Sequence, residues 1–204
     1  MANYRSPETL PPVVKNLLIA NVIVFLAQWV FKNQGIYLEI YGALWPVNSG
    51  LFKVWQLITH MFMHGGFYHL LFNMFGLWMF GRYLENFWGP RRFLQFYMIC
   101  GLVAAATHLL LQSGAGPAVG ASGAIMGVFA GFAYLFPNSP LFIMFIPIPV
   151  KAKYAIPGLM AIDLFGGIAQ LPGDNIAHWA HLGGAVAGLA LVFFWNKKNR
   201  KHFY

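Results

Sequence analysis

From Phe93 to Val150 the chain carries no Asp, Glu, Lys or Arg. A soluble domain keeps about a quarter of its residues charged, because its outside must face water. Over all 204 residues only 9% are charged, 59% are hydrophobic, and the mean hydropathy is +0.60. A soluble domain and a disordered chain are both excluded on these grounds. Cys100 is the single cysteine, which excludes a disulfide scaffold. An integral membrane protein remains. At roughly 20 residues per crossing, the length suits about six spans with short loops. The net charge of +8 fits anchoring at an anionic leaflet rather than nucleic-acid binding.

The charges and helix breakers divide the chain. Arg5 and Lys15 lie at the start of a first span, Val13–Phe31. No small-residue cleavage site follows it, so it reads as an anchor rather than a removed leader. Residues 32–66 are mixed, and their end, Val54–His64, is too short to cross. A second span covers Phe67–Gly81, extending towards Leu84, and a turn follows with Arg82, Gly89, Pro90, Arg91 and Arg92. Gln112–Gly120 separates a third span, Phe93–Leu111, from a fourth, Gly120–Phe136. Leu141–Val150 is apolar but short, with Pro147 and Pro149, and reads as an interfacial loop. The fifth span, about Tyr154–Leu171, contains Pro157, Gly158, Gly166 and Gly167 and is the weakest helix of the set. Ile176–Trp195 is the sixth, closed by Lys197, Lys198, Arg200 and Lys201.

With the N-terminus inside, the inner segments hold eleven basic residues and the outer ones only Lys32 and Lys53. Basic residues collect in cytoplasmic loops, so both termini are expected there. No internal repeat suggests the two related halves of many transporters.

Polar groups inside a bilayer are costly unless paired, so each calls for an explanation. Even-numbered spans start on the outer side in this orientation. His69 and Asn73 on span two, Ser122 on span four and His181 on span six therefore share one layer in the outer half. At 1.5 Å per residue His181 lies about 7 Å deep and Asn73 about 9 Å. Ser122 is shallower by counting, so residues 114–120 must dip into the membrane. A serine and a histidine meeting in such a layer suit a nucleophile and its base. No third, carboxylate member is evident: Asp163 is mid-span and Asp174 stands seven residues before His181. A Ser122–His181 dyad is favoured over a triad. His69 and Asn73, at i and i+4, share a helix face and offer donors to an oxyanion, with the Ser122 amide as a third. The alternative for these two is a structural His–Asn pair. Gly123, Gly127 and Gly131 on span four, and Gly184 and Gly188 on span six, form small-residue stripes along which two membrane helices can touch.

These residues resemble a known family. His60, His64, His69 and Asn73, then Gly120-Ala121-Ser122-Gly123, then Ala180-His181 with Gly184 and Gly188, occur in order on spans two, four and six. The set resembles a rhomboid intramembrane serine protease over about residues 10–196. The resemblance implies an all-α, polytopic bundle of six transmembrane helices with a membrane-embedded first loop (about 34–66). Residues 1–204 would form a single rhomboid transmembrane domain with short cytoplasmic tails at about 1–12 and 196–204. It implies cleavage of the transmembrane segments of other membrane proteins through an acyl-enzyme, with no metal and no cofactor. Ser122 would be the nucleophile and His181 the base; His69, Asn73 and the Ser122 amide would hold the oxyanion. His60 and His64 would be structural. Span five would act as a gate, residues 168–177 as a cap, and substrate would enter near spans two and five. The partners implied are those substrate segments and the lipid bilayer, with no nucleic acid. The minimal six-span form suggests a prokaryotic plasma membrane. Two departures stand out. The Trp-Arg pair of many relatives is missing from the first loop, which has Trp45-Pro46 and Trp55. Met126 occupies a place where some relatives carry an aromatic against the histidine.

His60 and His64 have a zinc-compatible spacing but lack a nearby carboxylate or thiolate. Asp163 and Asp174 lie in one span-and-turn segment, which disfavours an aspartyl protease. A non-cleaving rhomboid-like binder would usually lack Ser122 or His181. The shortage of mid-membrane charge disfavours an ion-coupled transporter. A hydrolase here also needs a small water cavity open to the outside.

Overall fold

The computed structural model describes residues 10–111, 116–142, 149–169 and 176–199. Helix α1 spans Pro12–Lys32, and its proline at the first helical position loses nothing, since that N–H has no helical partner. The connection that follows holds two one-turn helices, α2 (Glu39–Gly42) and α3 (Gln56–Thr59), and two short 3₁₀ turns at Val47–Ser49 and His60–Phe62. Next comes one continuous rod: α4 (Phe67–Gly76), a π-type stretch (Leu77–Gly81) and α5 (Arg82–Trp88). The rod passes the expected end at Leu84 and stops at Gly89, whose φ of 81° favours glycine. Helix α6 (Pro90–Leu111) starts at once, followed by α7 (Ser122–Leu135), α8 (Ala152–Ala169) and α9 (His178–Asn199).

Among the described residues three helices are long and apolar enough to cross a membrane: Pro12–Lys32, Pro90–Leu111 and His178–Asn196. Helix α7 is apolar but shorter. The expected loop at 141–150 has paired ends, with Pro140 opposite Lys151 and Leu141 opposite Val150 in an antiparallel two-residue ladder. Its middle, and most of the expected cap at 168–177, lie outside the described residues.

The burial pattern is that of a chain solvated by lipid. Ile23, Leu26, Phe72, Phe75, Ile162, Phe165, Val186 and Phe194 face outward, whereas Asn21, Gln28, Gln56, His60, His64, Asn73, Glu85, His108 and Asp163 are buried. Buried polar groups need partners, and several find them far along the sequence. Both Glu85 carboxylate oxygens accept backbone N–H groups at the start of α1, from Val13 at 2.9 Å and Val14 at 2.7 Å. An acidic group there also meets the positive end of the helix dipole. Gln28 donates to Glu39 Oε1 at 2.7 Å and accepts from the His64 N–H at 3.0 Å, tying the first loop to α1. Gln56 serves four backbone groups of that loop, accepting from Trp45 and Lys53 and donating to Tyr41 and Leu51.

Helix α7 lies at the centre, against α6 and α9. Its glycine stripe permits direct backbone contact with α9. A methyl group on Gly184 would overlap the carbonyl of Gly123, and one on Gly188 would stand 2.5 Å from the Gly127 oxygen. Phe93, Phe96 and Tyr97 of α6 fill the core behind them. At the end carrying the inner basic residues, Arg92 stacks 4.4 Å from the Trp195 ring centre and Arg82 4.6 Å from that of Trp78.

Candidate active site

The site forms where α7 begins. Leu44 and Ala118 exchange N–H···O bonds of 2.9 and 3.0 Å, which pin the strand entering α7 to the first loop. Two residues on, the Gly120 N–H donates to the His60 carbonyl at 2.9 Å. Gly120 has a φ of 118°, open to glycine, and a side chain there would run into the His69 ring, with Nε2 only 2.7 Å from where its Cβ would sit. Ser122 is then the first residue of α7, so its N–H has no helical acceptor and is free to bind an anionic oxygen.

Helix α9 brings His181 to this point. Its Nε2 lies 2.7 Å from Ser122 Oγ, across 59 positions of sequence. The two side chains share the proton of one hydrogen bond and are neither fully buried nor exposed.

A carboxylate completes the row, contrary to the expectation that none would. Asp163 Oδ1, on α8, lies 3.0 Å from His181 Nδ1. The same oxygen lies 2.8 Å from His178 Nδ1. The physical reason is helix packing: α8 docks beside α9, which carries the two histidines at i and i+3 on one face. Asp163 is six residues from Ala169, the end of α8 expected to be outer, about 9 Å at the helical rise. That is the depth counted for Asn73, so the same count places Asp163 in the polar layer; reading it as mid-span obscured this. Neither Asp163 nor His178 was singled out for the site from sequence.

His69 and Asn73 lie beside Ser122 on α4. The Gly65 N–H donates to His69 Nδ1 at 3.3 Å, so the proton of a neutral ring belongs on Nε2, the atom facing Gly120. The Asn73 amide donates to the His69 carbonyl at 2.8 Å, leaving its second hydrogen available. His60 and His64 are held elsewhere: His60 Nδ1 bonds the Gln56 carbonyl at 2.8 Å, and the His64 ring meets His69 edge-on at 5.1 Å. Among the described residues no group of His, Cys, Asp and Glu is placed to hold a metal ion. Met126 packs with Ala130, Ala185, Phe129 and Met160 at the junction of α7, α8 and α9. Behind Ser122 lies a cavity about the size of one water, lined among others by His60, His108, Ser122 and Ala177.

The Rhomboid domain family model matches residues 51–198. The chain belongs to the rhomboid family. Rhomboid protein 1, mitochondrial, of Saccharomyces cerevisiae is 31% identical over 198 residues, covering 92% of this chain and 55% of that protein. Presenilin-associated rhomboid-like protein, mitochondrial, of Homo sapiens is 31% identical over 195 residues, covering 92% of this chain and 50% of that one. The Bos taurus protein of the same name is 30% identical, with the same coverage. This rhomboid thus spans about half the length of the curated relatives it matches. It is a multi-pass integral membrane protein. These relatives are mitochondrial by name, so the prokaryotic plasma membrane expected from sequence finds no support in them.

Proposed function

We propose that this rhomboid is an intramembrane serine endopeptidase that cuts transmembrane segments of other membrane proteins. The observation that carries the reading is the 2.7 Å contact between His181 Nε2 and Ser122 Oγ. A serine hydroxyl is a weak nucleophile until a base takes its proton. Here Oγ attacks the scissile carbonyl carbon while its proton passes to His181 Nε2. The carbonyl oxygen becomes an oxyanion, held by the Ser122 N–H, His69 Nε2–H and the Asn73 amide. The C–N bond then breaks, and His181 returns the proton to the leaving amine. The acyl group stays on Oγ as an ester. Water then attacks that ester, losing a proton to His181; the ester C–O bond breaks, His181 hands the proton to Ser122 Oγ, and the acid and the free serine are released. The cavity beside Ser122 is a store for such a water.

The arrangement in the membrane follows the same reading. In it the six stretches expected to span cross the bilayer, the first loop is embedded in the membrane, both ends are cytoplasmic and the site opens outward. No metal or cofactor takes part. Family membership supports the protease class, and the side-chain geometry supports the named roles.

The test is labelling with a fluorophosphonate probe, followed by mapping of the modified residue, alongside cleavage of a single-span substrate. Ser122 should carry the label, and Ser122→Ala and His181→Ala should each abolish labelling and cleavage. A folded Ser122→Ala protein that still cleaves overturns the assignment. A wild-type protein that neither reacts nor cleaves, yet captures transmembrane segments, makes it a binder instead.

A further inference from the structure

We propose that Asp163 is a positioning residue for His181, with His178 as its own support; this rests on the serine protease reading above. An ionised carboxylate can only accept hydrogen bonds. Asp163 Oδ1, 3.0 Å from His181 Nδ1, therefore requires the proton of the neutral imidazole on Nδ1. That leaves the Nε2 lone pair facing Ser122 Oγ, which is the tautomer a base needs. When Nε2 takes the serine proton, the imidazolium that forms has a negative charge already beside it. The proton moves only between Oγ, Nε2 and the leaving amine or water; Asp163 stays ionised throughout.

Two features show that the carboxylate is held rather than merely nearby. His178 donates to the same Oδ1 from one turn earlier on α9, so the oxygen is fixed from two sides. The third residue after Asp163 on α8 is Gly166, where a methyl group would overlap the His178 ring. Glycine there lets the imidazole lie against the α8 backbone, next to the acid it supports. Ser122, His181 and Asp163 thus come from three separate helices, α7, α9 and α8.

A plain structural role, docking α8 on α9, makes a different prediction. Asp163→Asn keeps one oxygen that both histidines can reach, removes the charge and replaces the other oxygen with an NH2 donor. For a positioning residue, kcat should fall on the order of 10²-fold or more with KM within about threefold of wild type. Asp163→Glu should recover part of the loss. An Asp163→Asn protein with kcat within about threefold of wild type overturns the proposal. If that variant fails to fold, ¹⁵N-histidine spectra of the unmodified protein in detergent decide the matter. His181, assigned by the signal lost in His181→Gln, should be protonated at Nδ1 and bare at Nε2; the opposite tautomer overturns the proposal. The two readings fail separately. Cleavage by Ser122→Ala removes the protease assignment, whereas an inactive Ser122→Ala with a fully active Asp163→Asn removes only the role of Asp163.

Discussion

Gly184 of α9 rests directly on the backbone of Gly123 in α7, leaving no room for a methyl group between them. Gly123 follows Ser122 in sequence, and Gly184 is one turn beyond His181. The contact that joins the helices therefore also sets the distance between nucleophile and base. Gly184→Ala should force the backbones apart, lowering the unfolding temperature and cleavage together, at a cost of about 1–3 kcal/mol or more. Gly158 in α8 has nothing within 4 Å of an added methyl group, so Gly158→Ala should leave both unchanged or raise stability slightly. Equal thermal melts for the two variants would contradict this.

An oxyanion exists only in the transition state and intermediates. Asn73→Ala should therefore lower kcat by about 10- to 10³-fold and change KM little. Steady-state cleavage of a single-span substrate separates the two constants. A change confined to KM would assign Asn73 to substrate binding.

Glu85 is buried and satisfies two N–H groups at the start of α1. Glu85→Ala should destabilise the fold by about 1–3 kcal/mol, because it removes the acceptor that both N–H groups share. Glu85→Gln should recover part of this, since its amide oxygen can still accept one bond. Unfolding in detergent measures both, and the labelling rate of Ser122 in protein that remains folded should stay near wild type.

His60 and His64, in the first loop, are neutral in the fold. Burial pushes the His60 imidazole down to about 4, against a partial opposing pull from the Gln56 carbonyl. Burial, and then the neighbouring His69, push His64 down to about 4. An unfolded histidine titrates near 6.5, so between that pH and about 4 the unfolded chain binds more protons than the folded one. Stability should be full above about pH 6.5 and decline as pH falls towards 4. Thermal midpoints at pH 7 and pH 5 check this, and a midpoint that does not fall at pH 5 would refute it.

Much of this was legible in the sequence because lipid imposes simple rules. Charges mark where helices end, so Lys32, Arg92, Lys151 and Lys197 each lie within two residues of a helix end. Counting depth from those ends put His69, Asn73 and His181 at similar levels, with Ser122 shallower unless the loop before it dips, and the glycine stripes pointed to the contact of α7 with α9. What was hidden depends on which helices are neighbours. Asp163 stood out as a buried acid, but only the docking of α8 beside α9 shows that it meets His181. Gln28 and Gln56 gave no local signal, since Gln28 bonds the Glu39 side chain and the His64 backbone, 11 and 36 positions away, and Gln56 bonds backbone groups up to 15 positions away. The extension of the second rod to Trp88 was missed because Arg82 reads as a terminus, whereas its charge sits over the Trp78 ring while the helix continues.

Helix α8 carries a proline within it, turns Ile162, Phe165 and Ile168 outward, and also bears the acid that faces His181. If that acid readies the base, any swing of α8 that admits a guest also disarms the blade. Were α8 the gate that the family resemblance implies, opening and cutting would alternate like a door interlock: a peptide would be safe while the entrance stood ajar and severed only once the helix had closed behind it.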